Sequence, residues 1–324
     1  MINNVLVTGG AGYIGSQLVR ILLDEGYHVS VIDNLKFGGE ALMALTAHPR
    51  FTFHKGDLRV SADVERAVAG VDAICHLAAI VGDPACRLYP EEATEVNCTA
   101  SEQLFETAER MGVQRFVFAS TCSNYGKMDD ASAYVVEESA LAPVSHYAET
   151  KVAFENYLMR RRASPVVFTI LRFATVYGIS PRIRFDLTAN EFTRDVTVGK
   201  ELTIFGEQFW RPYCHVYDLA NAMALTLKSD KNLVQHEVFN VGSTAENYTK
   251  KMLVGEIGQV VPTLKVQYIH KDEDPRDYRV NCDKISQKLG FAITRTLPEG
   301  IREVHRLVRS GLITDSYSAR YRNI

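Results

Sequence analysis

Through the first half of the chain, short apolar runs alternate with longer stretches whose apolar residues recur every three or four positions. Val5-Leu6-Val7, Val29 to Asp33, Phe51-Thr52-Phe53, Ala73-Ile74-Cys75, Phe116-Val117-Phe118 and Val166 to Leu171 read as strands. Between them, Tyr13 to Glu25 (with Ile14, Leu18, Ile21 and Leu22 on one face), Ala62 to Ala69, Ala93 to Met111 and Tyr147 to Arg162 read as helices. Apolar strands without polar alternation are buried on both faces, and helices of this length between them are the crossovers of a parallel sheet.

Right-handed crossovers then make a doubly wound parallel Rossmann sheet the expected α/β architecture. After Arg172 the rhythm changes. Segment 173–212 is rich in Gly, Pro and aromatic residues, with no clear βαβ unit. A helical stretch from Val216 to Lys228 and the strand-like Val238-Phe239-Asn240-Val241 bring the chain back to the sheet. Residues 243–310 are mixed, with Leu253 to Ile257 and Ile285 to Leu289 as helical candidates. The expected organisation is a dinucleotide-binding domain of residues 1–173 with 213–242, and a smaller mixed α/β substrate lobe of 174–212 with 243–324.

Bulk properties narrow the class. With 324 residues, 46% hydrophobic and 23% charged, the chain has ordinary globular composition. A net charge of −3 gives no footprint for nucleic acid or an anionic membrane surface. Residues 1–7 enter a strand pattern at once, without the basic start of a signal peptide, and no apolar run is long enough to span a bilayer. Six scattered cysteines without a C-x-x-C pair fit reduced thiols better than disulfides or a metal site. A cytoplasmic protein is expected.

Candidate chemistry begins at Gly10-Ala11-Gly12-Tyr13-Ile14-Gly15, a glycine-rich turn between strand and helix. Close approach of a pyrophosphate to backbone excludes a Cβ: Gly10 and Gly12 suit the turn, and Gly15 lets the helix pack closely on the strand. The helix N-terminus offers N–H groups and a positive dipole end to phosphate. Asp33 ends the second strand, where a carboxylate accepts hydrogen bonds from the adenosine ribose and repels a 2′-phosphate, so NAD is favoured over NADP. Asp57-Leu58 and Leu77-Ala78-Ala79 follow the third and fourth strands at the same edge. Asp57 is either a contact to the adenine amino group or an ordinary turn aspartate. Further on, Tyr147 and Lys151 stand at i and i+4, hence on one helix face. A free tyrosine has a pKa of about 10, too high for a base at neutral pH, and a neighbouring ammonium favours the phenolate.

Tyr147-Ala148-Glu149-Thr150-Lys151 resembles the Y-x-x-x-K signature of short-chain dehydrogenases/reductases. Thr8-Gly9-Gly10-Ala11-Gly12-Tyr13-Ile14-Gly15 with Asp33-Asn34-Leu35 resembles the extended branch, the nucleotide-sugar epimerase/dehydratase family. The resemblance covers nearly the whole chain. It implies catalytic roles for Thr121, Tyr147 and Lys151. For NAD it implies Gly9, Gly12, Tyr13, Ile14, Gly15, Asp33, Asn34, Asp57, Leu58, Leu77, Ala78, Ala79 and Thr94, again with Tyr147 and Lys151. For a nucleotide-diphosphate sugar it implies Thr121, Arg211 and Arg276, with Lys271 as an alternative to Arg276; Thr175, Asn190 and the additional basic pair Arg182 and Arg184 are further substrate-binding candidates in the pocket region. Arg211-Pro212-Tyr213-Cys214-His215-Val216-Tyr217-Asp218 is similar to the family's R-D-[FY]-x-H-V-x-D segment, with proline in place of the acid. Thr175 stands where relatives often carry asparagine, and Cys122 and Ser123 stand where 4,6-dehydratases carry an Asp-Glu pair.

The first expectation is therefore an NAD-dependent nucleotide-sugar epimerase that oxidises and re-reduces the sugar at C4. The alternatives are a C4 dehydrogenase that releases a 4-keto sugar, suggested by the likeness of Arg172 to Arg182 to capsule-sugar dehydrogenases, and a non-catalytic NAD-binding regulator. The resemblance also implies a homodimer, with helices 93–111 and 147–162 forming a four-helix interface.

Overall fold

A computed structural model describes residues 2–128, 133–271 and 276–323. Its strands are β1 (Asn4–Thr8), β2 (His28–Asp33), β3 (Phe51–Lys55), β4 (Ala73–His76), β5 (Arg115–Thr121), β6 (Val167–Phe173), β7 (Thr175–Tyr177), β8 (Leu202–Phe205), β9 (Trp210–His215), β10 (Glu237–Val241), β11 (Asn247–Thr249) and β12 (Val266–Ile269). Seven of them form one sheet in the order β10-β6-β5-β4-β1-β2-β3, every neighbouring pair parallel. Each strand expected in the first half is present, and the return to the sheet at Val238–Val241 falls within β10.

The sheet is doubly wound because its apolar residues point both ways. Val5 and Val7 of β1 join one core, with Leu18 and Leu22 of the helix Gly15–Asp24 and Leu219 and Met223 of the helix Val216–Lys228. Leu6 of the same strand joins the opposite core, with Val64, Leu104, Phe105, Phe154 and Leu158 from the helices Ser61–Val68, Ala100–Arg110 and His146–Arg160. The period of two along a strand produces this division. Strand order reverses at β1, which lies between β2 and β4. A crevice for ligands opens at the carboxyl ends of strands at such a point. Thr8 Oγ1 bridges it, accepting from the N–H groups of Leu77 and Ala78, each at 3.2 Å.

The helix expected over 93–111 departs from a regular α-helix. It runs as Pro90–Thr94, a π-helical turn at Glu95–Thr99, and Ala100–Arg110. The wide turn carries Asn97 inward, where its side chain accepts from Ile80 N (2.8 Å) and donates to Ile80 O (3.0 Å) and Thr150 Oγ1 (3.1 Å). A π turn at a functional crevice commonly re-aims a side chain in this way.

Beyond β6, a three-stranded sheet (β11-β9-β7) and the pair β12-β8 surround a further core containing Tyr177, Tyr213, Ile204, Leu253, Ile257, Leu297 and Ile301. The candidates Leu253 to Ile257 and Ile285 to Leu289 lie within the helices Lys250–Val260 and Asp283–Leu289. Two further helices, Thr188–Thr197 and Leu297–Arg309, occupy stretches read as irregular or mixed. The second had a sequence signal: Thr296 and Glu299 form a capping box at its start. Among the described residues no helix is long and apolar enough to cross a membrane.

Candidate active site

A cleft of about 650 Å³ lies at the carboxyl edge of β1, β4 and β5 and extends to β7 and the helix Thr188–Thr197. Its floor is the glycine-rich turn. Gly9 takes φ +72°, and a Cβ there would stand 2.8 Å from Ala78 N. A Cβ on Gly15 would meet Gly9 O at 2.2 Å, so Gly15 packs on the loop itself. Gly10 is the glycine pressed against a strand, at Val31. These roles differ from the sequence expectation because the chain doubles back within the turn. No side chain caps the helix Gly15–Asp24 and its first turn holds no acid, which leaves that positive end open to an anion.

Asp33 Oδ2 accepts from Ala11 N at 3.0 Å and Oδ1 from Leu35 N at 2.8 Å, so the carboxylate locks the turn to the end of β2. Burial raises its pKa, opposed by those two hydrogen bonds and by the charge of Arg182. Gly9, Gly12, Tyr13, Ile14, Gly15, Asn34, Leu58, Leu77, Ala78 and Ala79 line the same cleft. Asp57 lines it too, but Arg59 clasps its carboxylate through Nε–Oδ1 at 2.9 Å and a second contact to Oδ2 at 2.8 Å. Hydrogen bonds from Arg59 take the Asp57 pKa to about 2, with burial opposing. Thr94 stands apart from these residues: it is exposed, and its hydroxyl contacts Pro90 O at 3.0 Å and His146 Nε2 at 3.0 Å.

At the inner end of the cleft, Thr121 closes β5 while Tyr147 and Lys151 share the helix His146–Arg160. The Ser145 side chain caps that helix by accepting from Ala148 N. Thr121 Oγ1 accepts from Ser123 N at 3.1 Å, which leaves its O–H available to a ligand. Lys151 is 4% exposed. Its Nζ donates to Ala119 O at 3.1 Å and lies 4.8 Å from the Phe118 ring centroid and 5.9 Å from that of Tyr147. Burial lowers the Lys151 pKa to about 8. Burial pushes the Tyr147 phenol up, and the charge of Arg184 opposes that shift. The site thus holds a phenol whose ionisation depends on positive charge nearby.

Thr175, Arg182, Arg184, Arg211 and Arg276 also line the cleft. Arg184 forks onto Asp186, with Nε–Oδ1 at 2.9 Å and the second contact at 2.7 Å. Arg276 pairs with Asp83 at 2.6 Å, and Arg211 lies over the Tyr278 ring, 5.5 Å from its centroid. Lys271 is exposed, beside the Phe205 ring and outside the cleft lining. Asn190 is buried behind the wall, bonding Gly178 N at 2.9 Å and Arg184 O at 2.8 Å, so here it braces the loop. In the segment around Arg211, His215 caps the helix Val216–Lys228, and Asp218 holds Thr294 N (3.0 Å) and Arg295 N (3.1 Å).

Sequence reading missed the polar cluster directly behind Thr121. Glu155 and Arg172, both buried, pair at 2.8 Å. Glu155 Oε1 also accepts from Ser120 Oγ at 2.5 Å and Asn124 Nδ2 at 2.9 Å. Arg172 also donates to Tyr125 Oη and Glu137 O, each at 2.9 Å. Cys122 belongs to this layer: it is 1% exposed and its thiol donates to Arg172 O. The available signal was an Arg directly after the strand read as Val166 to Leu171 and a Glu within the helix read as Tyr147 to Arg162.

Comparison with known proteins agrees with this geometry. Residues 5–242 match the model of the NAD dependent epimerase/dehydratase family. The chain is 35% identical over 313 residues to YtcB of Bacillus subtilis (strain 168), an uncharacterized UDP-glucose epimerase, covering 92% of this chain and 95% of that protein. The UDP-glucuronic acid 4-epimerase from Bacillus cereus, solved with UDP-glucuronic acid and NAD, superposes with a TM-score of 0.85 at 25% identity, over 95% of this chain and 99% of that one. DesIV, the dTDP-glucose 4,6-dehydratase from Streptomyces venezuelae solved with NAD, gives 0.84 at 28% identity, over 95% and 97%. A strand-reversal crevice carrying the glycine turn, Asp33, and the Thr121-Tyr147-Lys151 set, together with a family match over most of the chain, makes this protein a member of the NAD-dependent epimerase/dehydratase family.

Proposed function

We propose that the protein is a C4 epimerase of nucleoside-diphosphate sugars. The carrying observation is that Thr121, Tyr147 and Lys151 meet in the same cleft as the dinucleotide turn. The residues fit NAD: the helix Gly15–Asp24 opens uncapped beside Gly12 at the cleft, with no acid in its first turn, and Asp33 at the end of β2 keeps lone pairs for ribose hydroxyls. Asn34, Leu58 and Leu77 to Ala79 would complete that half. When bound, the nicotinamide supplies the hydride acceptor and donor at C4.

Tyr147 takes the proton from the C4 hydroxyl as the ketone forms and returns it on reduction. Thr121 donates a hydrogen bond to the reacting oxygen. Lys151, mostly protonated at neutral pH, favours the phenolate through its charge. Arg211 and Arg276 hold the substrate diphosphate from the far wall while the keto sugar turns over, and Thr175 and Arg184 border the space in which it turns. Within this reading, residues 1–173 with 213–242 carry the cofactor and 174–212 with 243–324 carry the sugar nucleotide. The protein acts in the cytoplasm as a homodimer joined through its helices at 93–111 and 147–162.

The test is incubation of the NAD-loaded protein with UDP- and dTDP-hexoses and UDP-hexuronic acids, followed by NMR of the product and absorbance at 340 nm. The expected outcome is C4 inversion with no change in mass and no accumulating NADH. Stoichiometric NADH with release of a 4-keto sugar would replace epimerase with dehydrogenase.

A further inference from the structure

Arg182 is 8% exposed and stands at the cleft, yet its guanidinium is incompletely partnered. One terminal nitrogen donates to Asn323 Oδ1 at 2.6 Å and the other to the carbonyl of Arg322 at 2.8 Å. Among the described residues its Nε is buried with no acceptor, and each terminal nitrogen keeps a second N–H beyond its one protein acceptor. A guanidinium left short of acceptors at a cleft is costly and calls for a partner there. Among the described residues neither nearby carboxylate hydrogen-bonds it: Asp186 is held in the fork of Arg184, and Asp33 acts on it only through its charge. Burial and the like charge of Arg184 lower the Arg182 pKa to about 10, opposed by the charges of Asp186 and Asp33.

The position of the missing anion follows from what holds this segment. Tyr13 Oη donates to Gly178 O at 2.5 Å, Ser180 Oγ donates to Tyr13 O at 2.5 Å, and Ser180 and Ser16 hydroxyls meet at 3.1 Å. Residues 178–182 are thereby tied to the start of the helix Gly15–Asp24, whose open end suits a diphosphate. The Arg182 guanidinium stacks on Phe37 at 4.7 Å and interacts with the charge of Asp33. Arg184, by contrast, is the arginine whose charge acts on Tyr147.

We propose that Arg182 binds the diphosphate of the dinucleotide, and that the C-terminal segment is a strap holding it there to retain the cofactor through turnover. The strap is anchored twice. Tyr317 Oη donates to Asp195 at 2.6 Å beneath Arg194, 4.2 Å from the ring centroid. Tyr321 O accepts from Phe185 N at 2.9 Å and the two rings meet edge to face. Asn323 then lines the cleft, its N–H on Asp186 at 3.1 Å. Retention matters to an epimerase because the cofactor that took the hydride must return it to the same sugar. The inference rests on the dinucleotide reading of this cleft and not on the sugar reaction, so NAD binding tests it without turnover.

The measurement is first-order exchange of bound NAD for labelled NAD in the full chain, with UDP affinity measured alongside by calorimetry. Arg182→Ala should speed NAD exchange by about ten- to a hundredfold, the value of a lost hydrogen bond to a charged group. UDP affinity should stay within about twofold, because that diphosphate sits elsewhere. Arg182→Lys, which keeps charge and bulk without the fork, should fall between parent and Ala and serves if the Ala variant does not fold. Asn323→Ala combined with Tyr321→Ala should also speed NAD exchange, and should add little on top of Arg182→Lys, because both act through one guanidinium. Unchanged NAD exchange in the Arg182 variants would overturn the proposal. Weakened UDP with unchanged NAD would return Arg182 to the substrate. Additive effects of strap and arginine would overturn the strap.

Discussion

In the proposed reaction Tyr147 and Lys151 carry the chemistry, and Lys151 is held in a form that is unfavourable alone. Lys151 is buried as a cation, with one carbonyl and one aromatic face in place of water. Its pKa of about 8, against an ordinary 10.5, fixes the pH window of the penalty. Below about 8 the lysine is protonated folded and unfolded, and the penalty is complete. Between 8 and 10.5 the unfolded chain holds a proton the folded one lacks, so stability rises with pH. Lys151→Met should therefore stabilise the cofactor-free protein at pH 7 by roughly 1–3 kcal/mol, an advantage that shrinks towards pH 10.5. Urea unfolding at both pH values measures it; a pH-independent difference would contradict the assignment. The same variant should lose activity. Tyr147→Phe keeps the ring against Ala85 and Cys86 but removes the ionisable oxygen. Turnover should fall by about 10²–10⁴-fold with NAD affinity retained, and near-normal turnover would remove Tyr147 as the base.

At the scale of elements, the Glu155–Arg172 cluster explains how those residues are kept in place. Glu155 lies four residues after Lys151 on the same helix, and its carboxylate bonds Ser120 next to Thr121. Arg172 of β6 completes the link from helix to sheet. Breaking one side of a buried pair leaves an uncompensated charge, so Arg172→Met should destabilise by about 3–5 kcal/mol, and Arg172→Met with Glu155→Leu by less. Thermal unfolding of the two variants compares them directly; equal losses would mean the pair is not coupled. This cluster also shows the limits of local pattern. Most of the first six strands were legible because burial on both faces leaves them largely apolar, the edge strand β3 because Phe51 and Phe53 alternate with polar residues, and the glycine turn because its spacing reflects backbone geometry. Asp33, Tyr147 and Lys151 were accessible from position and spacing, whereas Thr121 came only through the family resemblance. Strands such as β7 and β11, three residues each, carry too little periodicity to register. Arg172 gave no local clue to its role, since its partners come from separate elements. The contact between Arg182 and Asn323 spans 141 positions, beyond any local pattern.

For the whole molecule, the arrangement also limits what a C4 ketone can become. Water loss across C5 and C6 of a hexose needs an acid for the departing hydroxyl and a base for the C5 proton, both beside the sugar. The two positions after Thr121 hold Cys122 and Ser123. Cys122 is turned away into the buried layer, where burial pushes its thiol pKa well up, so it cannot supply a thiolate to the cleft. Ser123 does line the cleft, but a hydroxyl is too weak an acid near neutral pH. Of the other titratable groups, Asp83 is paired with Arg276, His146 faces Thr94 and Pro90, and burial pushes up the phenol of Tyr278, which contacts Ser123 in the cleft. The expected outcome is that the overall similarity to DesIV does not carry its dehydratase chemistry with it, because likeness of fold leaves the reaction to individual side chains. Incubation with UDP- and dTDP-hexoses should give no product lighter by one water, and the C6 hydroxyl should survive in every product seen by mass spectrometry. A 4-keto-6-deoxy sugar formed at a catalytic rate would overturn this expectation and make Asp83 and His146 the first candidates for the acid and base. Substituting either residue would then abolish that product while leaving C4 oxidation intact.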